Sequence, residues 1–247
     1  MRPTALSHNS ARQQAVLGDC VFYRSCQLPI GYDALVMKLL FVASDPMEFR
    51  GLKHRDDEVY LAENGAGAHR AAAAVDTALT SFRPDVIVSI GFCGALDPSL
   101  AIGDIVVGTT IFAGDRAFPA EPPVTASPHR SGPVCSIDHV AATAEEKRKL
   151  HATGAIAVEM EAAGVGQRAQ KLGIPFFCVK SVTDLANENM ANDFNAVLRS
   201  DGRFDTMNIL ASSLRRPWVR LPELIRLRRR CGLAARSLGE FIADCRF

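Results

Sequence analysis

The chain has 247 residues, of which 48% are hydrophobic and 22% are charged, with a formal net charge of +1. This composition is close to the globular average and allows the chain to bury a substantial core. The near-neutral charge gives no reason to expect a polyanionic partner such as nucleic acid, and no apolar run reaches the roughly 18 to 20 residues of a membrane-spanning helix.

Residues 1–36 differ from the rest of the chain. They are polar at first, show no sustained hydrophobic period, and lack the charged-then-apolar order of a secretory signal. Met37 then opens the hydrophobic segment MKLLFV. We therefore expect residues 1–36 to be an extension outside the folded domain, either poorly ordered or added by a translation start placed too far upstream.

From Met37 onward, predicted strands and helices alternate. Hydrophobic patterning predicts strands at residues 39–43, 58–63, 85–90, 104–111, 156–158 and 175–182, and helices at residues 68–82, 160–172, 193–214 and from Pro222 onward. Five prolines predict that residues 112–133 form a loop. This alternation indicates a three-layer α/β/α sandwich with a central mixed, largely parallel sheet, formed by residues 37–213 and followed by a C-terminal segment, 214–247.

Four segments at or near predicted strand ends hold unusual residues, and ligands of such sheets bind beyond the carboxyl ends of the strands. In chain order, the first motif is ASDPMEF at 43–49, the second is SIGFCGAL at 89–96, the third is AVEMEAA at 157–163 and the fourth is KSVTDLA at 180–186. GFCGAL, the following GDIVV, AVEMEAAG and SVTD, in this order, resemble the superfamily of purine nucleoside phosphorylases and methylthioadenosine/S-adenosylhomocysteine nucleosidases. The resemblance runs from about Met37 to about Leu210. It implies a nucleoside phosphorylase-like fold, cleavage of the N-glycosidic bond of a purine nucleoside, and a homo-oligomer.

Cleavage of this bond places demands on the site. Positive charge builds on the ribose and negative charge on the departing purine, so an acid must protonate the base. A buried carboxylate beside the sugar can stabilise the oxocarbenium-like centre and hold its hydroxyls, and a second carboxylate can activate water on the opposite face. The site therefore needs at least three acidic groups.

The resemblance supplies a role for each. It implies that Asp184 protonates the purine, that Glu48 orients the attacking water, that Glu161 accepts the ribose hydroxyls, and that Met160 packs against the sugar. The alternatives are structural: a turn or N-cap for Asp184, an exposed surface position for Glu48, and a solvated first helical turn for Glu161 and its neighbour Glu159.

Further substrate contacts are expected from the same motifs. Gly91 and Gly94 bracket a predicted strand-to-loop passage, where glycine lets the backbone approach a ligand closely. The full set of additional predicted binding residues is Glu159, Gly91, Phe92, Cys93, Gly94, Thr183 and Asp45. No metal is expected, because the cysteines show no CxxC pair and no His-rich metal spacing. No dinucleotide cofactor is expected, because Gly65 and Gly67 lack the third glycine of the G-x-G-x-x-G fingerprint.

The second motif favours water over phosphate as the nucleophile. In the phosphorylase branch, an arginine and a serine of this motif grip phosphate; here those positions hold Ser89 and Phe92. A phenylalanine side chain cannot donate a hydrogen bond to an anion. Arg70 or Arg50 could supply the missing cation from elsewhere, and Phe92 also departs from the small residue usual in the hydrolytic branch.

The C-terminal segment suggests the substrate class. Residues 214–230 hold seven arginines interleaved with Trp218 and aliphatic residues, and an apolar stripe continues at helical spacing to Phe241. Such a basic amphipathic helix can lie on an anionic membrane, or it can simply pack its stripe on the domain. Together with the short, proline-rich loop at residues 112–133, this segment makes the chain resemble the hopanoid-biosynthesis-associated nucleosidases. The resemblance implies that the substrate is adenosylhopane, an adenosyl-lipid, and that the product is adenine.

Three alternatives stay open: a soluble methylthioadenosine/S-adenosylhomocysteine nucleosidase, a phosphate-using purine nucleoside phosphorylase, and a catalytically inactive nucleoside sensor. Seven scattered cysteines without a CxxC pair predict reduced thiols and a cytoplasmic protein, with the inner membrane face as a peripheral location.

Overall fold

The computed structural model describes residues 16–17, 20–21, 36–53 and 55–247. The strands are β1 (Val16–Leu17), β2 (Cys20–Val21), β3 (Lys38–Ala43), β4 (Glu58–Glu63), β5 (Val86–Ala95), β6 (Ile105–Ala113), β7 (Arg116–Pro119), β8 (Arg130–Ser136), β9 (Ala157–Glu159) and β10 (Phe176–Asp184). The helices are α1 (Pro46–Phe49), α2 (Ala68–Ala78), α3 (Ala144–His151), α4 (Ala162–Leu172), α5 (Thr206–Ser213) and α6 (Pro217–Asp244), with a 3₁₀ turn at Asn195–Val197. The prediction for residues 1–36 lies outside the described residues except for Val36 and the two-residue strands β1 and β2.

These strands form one sheet in the order β1-β2-β4-β3-β5-β10-β6-β8-β9, with β7 on the side of β6. The pairs β4/β3, β3/β5, β5/β10, β6/β8 and β8/β9 are parallel. Antiparallel pairing joins β10 to β6, and β9 also pairs back to β5. The predicted mixed, largely parallel sheet is therefore confirmed, and its β5-β10-β6-β8-β9 part closes on itself.

Helices cover both faces of the sheet. On one face, the small residues of α2 and α4 allow close packing, since a Cβ added at Gly164 would lie only 1.8 Å from the Ala68 carbonyl oxygen. On the other face, α6 contributes Leu238, Phe241 and Ile242 to a buried cluster with β3, β5, β6 and β10. The second half of the C-terminal segment is thus part of the same core, with its apolar stripe turned to the sheet.

The predicted loop at residues 112–133 is wrong in part, because β7 and the start of β8 lie within it. The prolines occupy positions that a strand tolerates. Pro119 is the last residue of β7, and Pro133 lies at a shift in the β6/β8 register between Gly132 and Val134. Proline lacks the N–H that a regular ladder requires, so it is accommodated at such ends and irregularities.

Helix boundaries also differ from the prediction. The predicted helix at 193–214 is broken, because residues 198–204 form a turn closed by a Leu198/Phe204 bridge before Asp205 caps α5. The last helix begins at Pro217, not at Pro222, which lies inside it. The second helix ends at Ala78 instead of residue 82. Helices α1 and α3 were not predicted, although Asp45 and Thr143 cap them by accepting backbone N–H groups.

Candidate active site

The predicted motifs meet because three of their strands are neighbours. Strands β3, β5 and β10 lie side by side and run parallel, so the segments that follow them emerge at the same edge of the sheet. The register places Lys180 beside Gly91 and Asp184 beside Gly94. The first, second and fourth motifs are therefore adjacent, and β9 joins the third motif to them through its pairing with β5.

The carboxyl group of Glu48 accepts several hydrogen bonds. Its side chain is buried, and Oε2 accepts hydrogen bonds from the Ser44 N–H at 2.8 Å, the Ser44 hydroxyl at 3.1 Å and the Asp45 N–H at 3.1 Å. Oε1 accepts the N–H of Phe92 at 2.8 Å. Burial raises the pKa of Glu48, and the positive charge of Lys180 and these N–H groups offset part of the rise. The carboxyl group is thereby fixed in place.

Gly91 is required for this arrangement. Its φ of 142° is one that other residues rarely adopt, and a Cβ there would lie 2.5 Å from Oε1 of Glu48. The motif therefore uses glycine to bring the β5 backbone against a carboxyl group. Gly91 and Gly94 both lie inside β5, so the predicted strand-to-loop passage between them is wrong. The strand continues because β10 pairs with it along this stretch.

Glu161 lies at the N-terminus of α4 and is buried. Its Oε1 accepts the N–H of Gly67 at 3.0 Å, from the loop before α2, and Oε2 accepts the N–H of Met160 at 3.3 Å. Burial, followed by the negative charge of Glu159, raises the pKa of Glu161 to about 8. A carboxyl group of this kind can be neutral or ionised near neutral pH, depending on what contacts it.

Glu159 forms a buried ion pair with Lys180. Its Oε2 lies 3.0 Å from Lys180 Nζ and also accepts the backbone N–H groups of Glu161 and Ala162. Burial alone would lower the pKa of Lys180, but the surrounding negative charges, with that of Glu159 the largest, outweigh it and the net shift is upward. Glu159 thus caps α4 and neutralises Lys180, while its Oε1 has no hydrogen-bond partner among the described residues.

These groups interact as one cluster. The ammonium of Lys180 acts on Glu48, Glu159 and Glu161, and the charge of Glu48 also raises the pKa of Glu161. The alternative of solvated surface glutamates is wrong for all three carboxyl groups, because each is buried. The third and first motifs, which are about 110 residues apart in sequence, converge here.

Asp184 is the last residue of β10 and lies beside Gly94 in the β5/β10 register. After burial, the negative charge of Asp184 is the largest cause that raises the pKa of the Cys93 thiol, and Glu159 adds to it. Oδ1 of Asp184 lies 3.1 Å from the Thr183 hydroxyl, and Oδ2 accepts a hydrogen bond from Nζ of Lys147. A Cβ at Gly94 would lie 2.7 Å from Oδ2, so this backbone also approaches a carboxyl group closely.

A small cleft opens beside Asp184. It is lined by residues of the loop after β10 and of α6: Asp184, Glu188, Asn189, Met190, Phe194, Glu223, Arg226, Leu227 and Arg230. Glu188 and Arg230 form a two-pronged ion pair across it, at 2.7 and 2.9 Å. Apolar and charged surface therefore meet next to the predicted acid.

The remaining predicted residues fall into two groups. Met160, Cys93 and Thr183 are buried within the motifs that converge, and Phe92 is half-buried with its N–H on Glu48. The carboxylate of Asp45 differs, because it is exposed and caps α1 by accepting the N–H of Met47 at 2.8 Å.

Two lysines were missed by the sequence analysis. Lys180 offered a signal, since a single charge within the apolar strand FFCVKSV must find a buried partner. Lys147 offered none, because its helix was not predicted and its partner is 37 residues away. The partners of both lysines became visible only in the folded protein.

Comparison with known proteins gives consistent results. The family model of the phosphorylase superfamily matches residues 44–127 and 125–205. The 5'-methylthioadenosine/S-adenosylhomocysteine nucleosidase of Staphylococcus aureus strain JH9 is 28% identical over 173 residues, covering 58% of this chain and 76% of the relative.

Two solved structures share the fold. Futalosine hydrolase of Helicobacter pylori superposes with a TM-score of 0.61 at 16% identity, covering 85% of this chain and 97% of that one. The 5'-methylthioadenosine/S-adenosylhomocysteine nucleosidase of Neisseria meningitidis, in complex with methylthio-immucillin-A, gives 0.61 at 19% identity, with coverages of 84% and 97%. Among the described residues, no helix has the length and apolar character needed to cross a membrane.

Proposed function

The chain belongs to the phosphorylase superfamily, and from this premise we propose that it hydrolyses the N-glycosidic bond of an adenine nucleoside and releases adenine. The observation that carries the proposal is the buried cluster of Glu48, Glu159, Glu161 and Lys180, with Asp184 at the end of β10, the strand that carries Lys180. Burying three carboxyl groups with one ammonium costs folding free energy, and such clusters are concentrated at functional sites. The nucleosidase relatives support the same reaction class.

Glu48 is the proposed general base. Burial brings its pKa upward, toward the range in which a carboxylate accepts a proton from water efficiently near neutral pH. Four donors hold the carboxyl group in one orientation. A fixed base with a raised pKa is suited to activate water for attack on C1' of the ribose.

Glu161 and Met160 are the proposed sugar-binding residues. The two carboxyl oxygens of Glu161 each accept one backbone N–H, and each oxygen retains a further acceptor site for a ribose hydroxyl. Ionised Glu161 would also stabilise positive charge as it develops on the sugar. Asp184 is the proposed acid, which donates its proton to the purine as the C1'–N9 bond breaks and the bonding electrons pass to the base.

Water is the proposed nucleophile because the site lacks a phosphate cradle built from the second motif. The N–H of Phe92 is used by Glu48, and Nζ of Lys180 lies 3.0 Å from Glu159 and 3.3 Å from the Ile90 carbonyl. Arg50 is exposed at the end of α1. The phosphorylase alternative can be told apart because a phosphorylase would consume phosphate in the reaction.

An adenosyl-lipid such as adenosylhopane is the proposed substrate. The helix that lines the cleft also carries exposed apolar side chains at its start, with Trp218 90% exposed, and α5 beside it exposes Met207 to 76%. Five of the seven arginines of residues 214–230 are exposed as well: Arg215, Arg216, Arg226, Arg228 and Arg229. Apolar and cationic side chains on one surface suit peripheral contact with an anionic membrane that supplies a lipid-linked nucleoside.

A substrate panel tests the reaction and the substrate together. Purified protein is assayed for adenine release from adenosine, methylthioadenosine, S-adenosylhomocysteine and an adenosyl-lipid in detergent, each with and without phosphate. We expect phosphate-independent release with the highest kcat/KM for the adenosyl-lipid. A preference for methylthioadenosine would favour the soluble nucleosidase, and a requirement for phosphate would favour the phosphorylase. Binding without turnover of any of them would favour the sensor.

Membrane contact is tested by sedimentation with vesicles containing anionic lipid. We expect Trp218→Ser to reduce the bound fraction, because the indole is the most exposed large apolar side chain among the described residues. Leu172→Ser is a matched control, since Leu172 is 45% exposed on α4, away from α6. Equal binding by both variants and by the unaltered protein would contradict membrane contact through this surface.

A further inference from the structure

Lys147 is a buried cation that the proposed mechanism has not used. It lies on α3, its side chain is 1% exposed, and its ammonium donates to Oδ2 of Asp184 and, at 2.8 Å, to the carbonyl oxygen of Leu185. Burying an ammonium costs several kcal/mol unless it is paired and hydrogen-bonded. The ammonium of Lys147 therefore contacts the carboxyl group of Asp184 and the backbone carbonyl of the next residue.

We propose that Lys147 is the positioning residue of the acid, which fixes Asp184 through Oδ2 and compensates the charge that appears when Asp184 gives up its proton. This inference rests on the proposed function. It adds a residue outside the four motifs, carried by a helix whose own sequence gives no sign of a site.

The hydrogen bonds around Asp184 separate the tasks of its two oxygens. Oδ2 contacts Lys147 and faces the backbone of Gly94, where no space remains for a Cβ. Oδ1 lies 3.1 Å from the Thr183 hydroxyl, which in turn lies 3.3 Å from the Cys93 carbonyl. A hydroxyl has one proton and can donate to only one of these two oxygens. When Thr183 donates to Cys93, it can accept from a proton on Oδ1, so the arrangement accommodates a protonated Asp184.

Each proton that moves during cleavage of the C1'–N9 bond has a donor and an acceptor. The C1'–N9 bond breaks with its electron pair going to the purine, and the proton on Oδ1 passes to a ring nitrogen of the purine. Asp184 becomes a carboxylate, whose negative charge is neutralised by the ammonium of Lys147 already in contact with it. Water adds hydroxide to C1' and its second proton to Glu48, and solvent returns that proton to Asp184 after adenine leaves. Charge compensation that is present before the reaction needs no reorganisation.

The test uses Lys147→Met, which keeps the length and apolar stem, and Lys147→Arg, which keeps the charge. We expect Lys147→Met to lower kcat by about 10- to 100-fold with KM changed less than about threefold, while Lys147→Arg restores part of kcat. A packing role alone would instead favour Lys147→Met over Lys147→Arg, because methionine keeps the apolar stem.

A double-mutant cycle with Asp184→Asn keeps the proposal falsifiable. If Lys147 acts through Asp184, adding Lys147→Met to Asp184→Asn should cause no further loss of kcat, and should recover stability that Asp184→Asn loses by leaving a buried ammonium unpaired. Independent, multiplicative losses, or an unchanged kcat in Lys147→Met, would overturn the role of Lys147 alone. Absence of adenine release by the unaltered protein would instead overturn the proposed function on which it rests.

Discussion

Glu161 gives the protein a characteristic dependence of stability on pH. Its pKa is raised from 4.5 to about 8, first by burial and then by the charge of Glu159. Because the folded state holds this proton more tightly than the unfolded chain, the stabilisation is complete below about pH 4.5 and is lost as the pH rises through about 8. At about 1.4 kcal/mol per pH unit, the loss between pH 5 and pH 8 amounts to roughly 3–4 kcal/mol.

The substitution Glu161→Gln isolates this effect, since glutamine carries no titrating proton. We expect the free energy of unfolding of the unaltered protein to fall between pH 5 and pH 8, and that of Glu161→Gln to fall by roughly 3–4 kcal/mol less. Contributions of the same sign from His139, whose pKa is raised by hydrogen bonds to Asp138 and Glu146, are common to both proteins and cancel in the difference.

Urea unfolding at pH 5, 6, 7 and 8 measures the difference directly. Glu240→Gln is the matched control, because Glu240 is exposed on α6 and its removal should leave the pH dependence unchanged. If Glu161→Gln and Glu240→Gln both follow the unaltered protein across this range, Glu161 does not hold a proton in the folded state and the electrostatic account of the cluster is refuted.

Three further predictions concern catalysis. Asp184→Asn should lower adenine release by about 10²- to 10⁴-fold with the circular dichroism spectrum retained, because the proposed acid is lost; unchanged release would remove Asp184 from the mechanism. Glu48→Gln should slow hydrolysis by a similar factor, since an amide cannot accept the proton of water, and restoration by added phosphate would contradict its role as base. Gly94→Ala should lower kcat in the same assay because the new Cβ, 2.7 Å from Oδ2, must displace Asp184; an unchanged kcat would show that the position of this carboxyl group is not critical.

Local patterns in the sequence predicted a large part of the fold. Hydrophobic runs located β3 to within one residue and β4 completely, and Gly173 marked the end of α4. The order of four motifs indicated the superfamily, which the family model confirms. These features depend on residues close together in the chain, which is why the sequence alone was sufficient.

Long-range contacts decided the rest. Residues 116–119 and 130–136 became strands because β6 offered them hydrogen-bond partners, despite prolines that locally favour a loop. The helix predicted over 193–214 is interrupted by a turn that the Leu198/Phe204 bridge closes. Asp205 then caps the start of α5.

The candidate site was also predicted in part from the sequence and decided in part by long-range contacts. The sequence by itself determined which acidic residues to expect, namely Glu48, Glu161 and Asp184, through the resemblance of its motifs to those of the superfamily. Only the tertiary structure decided that Lys180 lies among the glutamates and that Lys147 contacts Asp184. The physical reason is that burial and the nearest opposite charge set the protonation of a carboxyl group, and both come from chain segments that the sequence places far apart.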